Sequence, residues 1–445
     1  MLTKTEQIIA IYSKRGDEGK RLQRVYRQLF KPELYKEAYA EIRSNPGAIT
    51  KGTSEETLDG MSEERFDKII EKLKKEKYNW KPVRRVEIPK GNGEKRPLGL
   101  PSGDDKLLQT AMKILLEAYY EPKFSNRSHG FRKGRGCQTA LYQITGNHMA
   151  ASWFIEGDIK GCFDNINHNI LIDIVGESID DGRILNLLRK LLKAGYMEGW
   201  EKRGTYSGTP QGGVISPLLA NIYLDKLDKW IEKELLPKYN RSLRANGERR
   251  RNPEYQKYAN LRTKAKKKGD IEAYKAYGRK MRDLPSVNTQ DEGYRKLEYV
   301  RYADDFLLSF AGPKTEAEEI KREISKFLKE RLKLEMSEEK TLITHARTDK
   351  AKFLGYEIGI FQSKDRKTVN GNVELRVPRE VITKASRKYS KKQKPIHRPE
   401  LEYEGDMEII WQFQAEYRGL VEYYRMAHNL HALSKSRMAG TRLPT

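Results

Sequence analysis

Two adjacent carboxylates, Asp304 and Asp305, stand between the short runs Tyr299-Val300-Arg301-Tyr302 and Phe306-Leu307-Leu308-Ser309-Phe310. Aromatic, β-branched and aliphatic residues on both sides read as strand, tight turn and strand, with the acids at the tip. Neighbouring carboxylates repel and desolvate poorly, so the pair suits a divalent cation held by hard oxygen ligands, or a plain exposed turn. A third acid, Asp158, ends another apolar run, Trp153-Phe154-Ile155-Glu156-Gly157. Two carboxylates from the hairpin and one from a separate strand are enough to hold two magnesium ions while leaving positions for phosphate and water, which is the chemistry of phosphoryl or nucleotidyl transfer. Asp164 competes for the third place, but the intervening Ile159 to Phe163 turns it away, so it is read as structural.

Other residues could meet a polyanion. Val83 to Pro101 reads as a β-hairpin about a Gly-Asn-Gly turn, with Lys90 and Arg96 on either side where they could converge on phosphates. Ser128 to Gly136 is glycine-rich and basic, suited to backbone approach to a phosphate chain or simply to turns. Ser207 to Ile215 is a Gly/Pro loop whose Gly212 and Gly213 leave backbone open to a flat ligand, with Gln211 as a polar contact. Tyr239 to Pro285 carries 15 Lys or Arg against 5 Asp or Glu, with Tyr255, Tyr258, Tyr274 and Tyr277 interleaved, and reads as an RNA-binding insertion or a solvated helical one.

Positioning these residues takes a sizeable fold. The chain has 445 residues, room for two or three domains, and 87 Lys plus Arg against 63 Asp plus Glu give a net charge of +24. Such a balance favours nucleic acid or an anionic surface over a small neutral metabolite. With no run of 18 apolar residues and no basic-then-apolar leader, neither a membrane span nor a secretory signal is supported, and a soluble, intracellular protein is expected. Cys137 and Cys162 are far apart and without ligand spacing, hence ordinary buried or half-buried thiols. Residues 1–45 carry a helical pattern with Leu22, Val25 and Leu29 on one face, Met61 to Leu73 another, and Leu107 to Tyr120 a third. Ser216-Pro217 starts a helix as N-cap and first position, Lys314 to Leu332 is helical, and Phe353 to Ile358 reads as a strand with an internal glycine. Met407 to Leu433 is helical, with Trp411, Phe413, Tyr417, Tyr423 and Tyr424 read as core between helices. His428 and His431 lack acidic partners for a metal site. In order the elements give an α+β fold, a βαββ-type unit with helices on one face.

Taken together, Lys90 to Pro101, Gly157 to Asp164, Thr209 to Asn221, Tyr302-Ala303-Asp304-Asp305 and Phe353-Leu354-Gly355-Tyr356 resemble a group II intron-encoded reverse transcriptase/maturase, in family order over roughly residues 45–435. The resemblance implies a right-hand polymerase with fingers, a βαββ-type palm and a helical thumb. Residues 1–60 would form an N-terminal extension, in which Asn45 to Ala48 and Leu58 to Gly60 lie over the template. Residues 61–150 would be fingers, 151–360 palm with fingers elements and the basic RNA-binding insertion 239–285, and 361–445 helical thumb with a partial maturase region.

The resemblance also assigns residues. Asp158, Asp304 and Asp305 match the catalytic metal-binding acids, with Ile159 lending a backbone carbonyl. Phe163 matches a steric gate against the ribose 2′-hydroxyl, Lys90 and Arg96 grip the triphosphate, and Gln211 and Gly212 lie over the nascent base pair. Lys340 stands near the leaving pyrophosphate as a general acid, and Phe353, Leu354, Gly355 and Tyr356 form the primer grip. The implied cofactor is two Mg2+ ions, with Mn2+ able to substitute. The implied partners are RNA template, DNA primer, deoxynucleoside triphosphates and group II intron RNA, with no membrane, in a cytoplasmic ribonucleoprotein. The family's DNA-binding and endonuclease segments are not found before Thr445, so a naturally short form and a truncation both stay open. An intron-RNA-binding splicing factor with secondary polymerase activity, and a retron-like or CRISPR-associated reverse transcriptase, are the alternative readings.

Overall fold

The computed structural model describes residues 3–434 except 90–92, 94, 199–200, 204–207, 209–211, 243–248, 289–290, 364–368, 389, 392–393 and 396–397. Among the described residues a five-stranded antiparallel sheet occupies the centre. Its strand order is Ile343–His345, Trp153–Asp158, Asp305–Ala311, Tyr294–Tyr302 and Arg241–Ser242.

Successive side chains of a strand point to opposite faces. Here both sets are apolar, and each has its own core. Ile155, Tyr299, Phe306, Leu308 and Phe310 pack on one face among the helices Gly103–Tyr120, His168–Ser178, Gly182–Leu192, Ser216–Trp230 and Lys314–Arg331. Phe154, Val300 and Leu307 pack on the other, with helix Cys137–Asn147, a three-stranded sheet (Ala351–Phe353, Tyr356–Ile360, Val373–Arg376) and Tyr424, Ala427 and Leu433 of the tail. The sheet is therefore covered on both sides, whereas the order of elements alone suggested helices on one face.

Several sequence expectations hold. Glu63–Lys74 is a helix burying Phe66, Ile69, Ile70 and Leu73, and Val83–Pro89 pairs antiparallel with Lys95–Leu100 from Arg84 opposite Leu100 to Pro89 opposite Lys95. Cys162 is buried and Cys137 half-buried, and both are free thiols. Others shift. Leu22, Val25 and Leu29 are all buried, but not on one helical face. Leu22 belongs to a two-residue strand paired in parallel with Ile179, and Val25 opens a separate four-residue helix. Helix Ser216–Trp230 takes Ile215, not Ser216, as its N-cap.

Candidate active site

Asp158 ends strand Trp153–Asp158 directly opposite Asp305, which opens the central strand, and Asp305 is in turn opposite Tyr302, so Ala303 and Asp304 form the two-residue turn of that hairpin. Directly opposed residues share a face. The register thus sets the Asp158 and Asp305 carboxyls side by side with Asp304 beyond them; the sequence suggested both acids at the tip, but Asp305 already pairs with Tyr302 as the first residue of its strand. The acids act on one another. Burial, then the charge of Asp304, then a hydrogen bond with Asp158 push the Asp305 carboxyl up to about 7. Burial likewise raises Asp304, with Asp158 adding to it and Arg96 and Lys340 opposing. In a protein with a net charge of +24, this is a local concentration of negative charge that a cation would relieve. Among the described residues no three His, Cys, Asp or Glu side chains are already closed to metal-ligating geometry. One Asp158 oxygen is held by Lys340 Nζ at 3.1 Å.

Lys340 is exposed, and its hydrogen bond to Asp158 raises its pKa, so the ammonium stays protonated against the acids. Ile159 is buried between two backbone bonds, Ser337 N to Asp158 O at 2.8 Å and Lys160 N to Glu335 O at 2.9 Å. Phe163 lies on the short helix Cys162–Asn165, 8% exposed, its ring edge-to-face with Phe131 at 6.0 Å. Arg96 is exposed on the hairpin strand, near enough to lower both Asp304 and Asp164. Asp164 itself is raised by burial, with Arg85 and Arg96 opposing. Gly212 has φ +100°, and a Cβ on it would meet Gly99 O at 2.6 Å. Its glycine character serves a backbone contact with the hairpin, and the residue itself is exposed. Lys90 and Gln211 lie outside the described residues.

Phe353 to Tyr356 is not one strand but the tip of a hairpin. Leu354 and Gly355 have φ +49° and +71° and form a turn between Ala351–Phe353 and Tyr356–Ile360. The tail helix Asp406–Tyr423 docks on it: Tyr423 Oη donates to Leu354 O at 2.9 Å, Tyr424 Oη to Gly355 O at 3.0 Å, and Tyr356 Oη to Tyr423 O at 2.5 Å. Buried Glu156, two residues before Asp158 on the same face, accepts from Thr344 Oγ1 of the edge strand at 2.6 Å and ties its strand to this hairpin by accepting from Lys352 N at 2.9 Å. Sequence reasoning passed over Glu156, although an acid inside an apolar run must find donors.

It also passed over Arg301. The guanidinium is fully buried against an equally buried Asp228 on helix Ser216–Trp230, at 2.8 and 2.6 Å. A buried pair broken on one side typically destabilises by about 3–5 kcal/mol. The signal was present: an arginine within a buried strand requires an acid, and helix Ser216–Trp230 carries Asp225 and Asp228 among its apolar positions.

Three polar features have local partners. In the glycine-rich loop, Arg132 is buried and donates to Glu121, Ser125 O and Ser128 O, so it is not free for phosphate. The basic stretch contains the paired helices Pro253–Lys268 and Ile271–Asp283, in which Ala265 alone of the two is buried. There Arg262 lies 4.4 Å over the Tyr274 ring and Lys280 5.2 Å over Tyr258. His428 Nδ1 accepts from Leu375 N at 3.1 Å, a structural role. Of the tail aromatics Tyr424 is buried, but Trp411 is 62% exposed, against the expectation of core.

Comparison with known proteins gives a consistent result. The family described as "Reverse transcriptase (RNA-dependent DNA polymerase)" matches residues 88–259 and 270–358, and "Type II intron maturase" matches 374–437. The chain is similar to the group II intron-encoded protein LtrA of Lactococcus lactis subsp. cremoris, 43% identical over 435 residues, covering 92% of this chain and 72% of that protein. It is 36% identical over 424 residues to the putative COX1/OXI3 intron 1 protein of Saccharomyces cerevisiae, covering 89% of this chain and 49% of that one. Protein YkfC of Escherichia coli strain K12 is 33% identical over 350 residues, covering 77% of this chain and 84% of that protein.

Proposed function

Because the chain belongs to the group II intron-encoded reverse transcriptases, with an intron maturase segment after the polymerase, we propose how its residues divide the work of copying RNA into DNA. The chain is an RNA-directed DNA polymerase of right-hand, α+β fold, with a role in intron splicing alongside. The observation that carries the residue assignment is the strand register that sets Asp305 opposite Asp158, with Asp304 in the adjoining turn.

The family uses divalent metal ions, and the donors fit them: three carboxylates on two adjacent strands and the turn between Tyr302 and Asp305, two of them with pKa values raised by burial and by their neighbours' charge, all oxygen ligands of the kind Mg2+ prefers. We assign two Mg2+ to Asp158, Asp304 and Asp305 with the Ile159 carbonyl, Mn2+ substituting. When bound, such ions supply charge that activates the primer 3′-hydroxyl and neutralises the departing pyrophosphate.

The remaining steps belong to the chain. Lys340, kept protonated beside Asp158, is suited to give a proton to the leaving pyrophosphate. Arg96, whose field reaches Asp304, orients the triphosphate together with Lys90. Phe163 crowds a ribose 2′-hydroxyl, and Gln211 and Gly212 cover the nascent pair. Turn Phe353 to Tyr356, stiffened by the Tyr423 and Tyr424 hydroxyls, grips the primer. In this reading residues 1–60 are the extension, 61–150 fingers, 151–360 palm with the RNA-binding insertion 239–285, and 361–445 thumb and partial maturase region. Template RNA, primer DNA, deoxynucleoside triphosphates and intron RNA are the partners, in a cytoplasmic ribonucleoprotein. Among the described residues no helix is long and apolar enough to cross a membrane.

The direct test is Asp304→Asn. Primer extension should fall at least about 10²–10³-fold, the scale of losing one preorganised charge at a reacting centre. RNA affinity, which phosphate contacts dominate, should stay nearly unchanged. Extension at the parent rate would refute the assignment.

A further inference from the structure

The turn that carries Asp304 depends on a support beneath it. Ala303 has φ +57°, the left-handed region that a residue with a Cβ avoids. Arg301 Nη1 donates to the Ala303 carbonyl at 2.7 Å and to Asn221 Oδ1 at 3.2 Å. Asn221 Nδ2 donates to Gly130 O at 2.9 Å, and Gly130 lies so close to the turn that a Cβ on it would meet Ala303 N at 2.3 Å. The guanidinium is itself fixed. Nε and Nη2 reach the two Asp228 oxygens, and Tyr299 Oη donates to Asp228 Oδ1 at 2.7 Å. The Arg301 backbone is held as well, its N donating to Arg127 O at 2.8 Å and its O accepting from His129 N at 2.9 Å.

Strand alternation sends the Arg301 side chain to the helical face, opposite to the face of Asp158 and Asp305. It therefore meets neither substrate nor acids. What it holds is the Ala303 carbonyl, and that carbonyl and the Asp304 N–H belong to one planar peptide unit. Fixing the first fixes the plane from which the Asp304 side chain departs. Stability alone gives weak reason for such a pair, because apolar replacement of a buried ion pair is often neutral or stabilising. A planar fork with several donors serves this task and an ammonium does not.

We propose that Arg301, oriented by Asp228 and Asn221, is a positioning residue that sets the direction of the Asp304 carboxylate and so the spacing of the three acids toward divalent ions. The proposal rests on the polymerase reading of those acids.

The test uses the full chain with Arg301→Lys and, separately, with Arg301→Gln paired with Asp228→Asn, which removes both buried charges and keeps an amide pair. Thermal unfolding by circular dichroism, Mn2+ binding by electron paramagnetic resonance, primer–template affinity and single-nucleotide incorporation are measured on each. Both variants should fold. Mn2+ should bind about tenfold more weakly, as when a group supporting a metal ligand is removed. The maximal incorporation rate should fall about 10²-fold, the scale of a misplacement near 1 Å. KM for the nucleotide and primer–template affinity should stay within about threefold, since neither meets Arg301. Folded variants with parental Mn2+ affinity and rate overturn the proposal. Activity lost only in step with folded protein, or failure of the neutral pair to fold, makes the network structural and overturns it too. If Arg301→Lys alone fails to fold, the neutral pair decides. Failure of the polymerase reading looks different: the parent chain itself would not extend a primer, while the Mn2+ comparison would still judge Arg301.

Discussion

Phe163 follows Asp158 by five residues, on a single helical turn whose N-cap, Gly161, has φ +54°. The sharp reversal presses its ring against Phe131 and leaves 8% of the residue exposed. A ring anchored in this way can act as a fixed wall, and one atom's difference at a wall is worth about 1–3 kcal/mol. Phe163→Ala should therefore lower the preference for deoxyribonucleotides roughly 10- to 200-fold in single-nucleotide incorporation. Deoxynucleotide incorporation itself should change little. Unchanged discrimination would assign the ring to packing. The same residue scale shows why some of the site is legible in the sequence and some is not. Asp158, Asp304 and Asp305 stand out because each interrupts or ends an apolar run. Arg301 interrupts a run as well, but its partner Asp228 lies 73 positions away, and no local pattern joins the two.

At the scale of elements, periodicity and turn chemistry are informative only where the determinants are local. The Val83–Pro89 hairpin and the Glu63–Lys74 helix are written locally and form as expected. Leu354-Gly355 reads as strand interior because one glycine does not distinguish a turn from a bulge. Only the Tyr423 and Tyr424 hydroxyls, about seventy residues on, explain why the chain reverses there. Leu22, Val25 and Leu29 mimic a helical face because spacings of three and four also arise by chance across a strand and a short helix. The paired helices Pro253–Lys268 and Ile271–Asp283 join the body at a narrow base, where Asn252 N donates to Ser286 O and Arg251 bridges Val287. Replacing 253–283 by a short glycine linker should leave the fold intact and primer extension within about twofold, because surface elements outside the core carry little stability. Affinity for intron RNA should fall about tenfold or more, and its salt dependence should flatten by about 0.7 for each RNA phosphate the helices no longer neutralise. Filter binding across a salt series gives both numbers, and unaltered affinity would make the helices a spacer.

For the whole molecule, acid sensitivity follows from a buried imidazole. His148 caps helix Cys137–Asn147, is fully buried, and has no hydrogen-bond partner on either ring nitrogen among the described residues. Burial, with Arg127 and Lys296 adding repulsion, lowers its pKa from 6.5 to about 3. The folded value lies below the unfolded one, so the unfolded chain takes the proton first. The contribution of His148 is fully present above pH 6.5 and is lost as pH falls toward 3. Between pH 6.5 and 5 that amounts to about 2 kcal/mol. The difference in denaturant stability between the parent chain and His148→Leu should shift by that amount over this interval, and a pH-independent difference would show that His148 is already solvated. The two-faced sheet carries a different kind of consequence. Its second core is closed by Tyr424, Ala427 and Leu433, while Asn429 exchanges hydrogen bonds with Val377 just past the edge strand. The hairpin that carries Asp304 and Asp305 is made more than a hundred residues earlier. During synthesis on the ribosome, the helices Pro253–Lys268 and Ile271–Asp283 therefore emerge while the second face of the sheet is covered only by helix Cys137–Asn147, and that core closes only once Tyr424, Ala427 and Leu433 arrive.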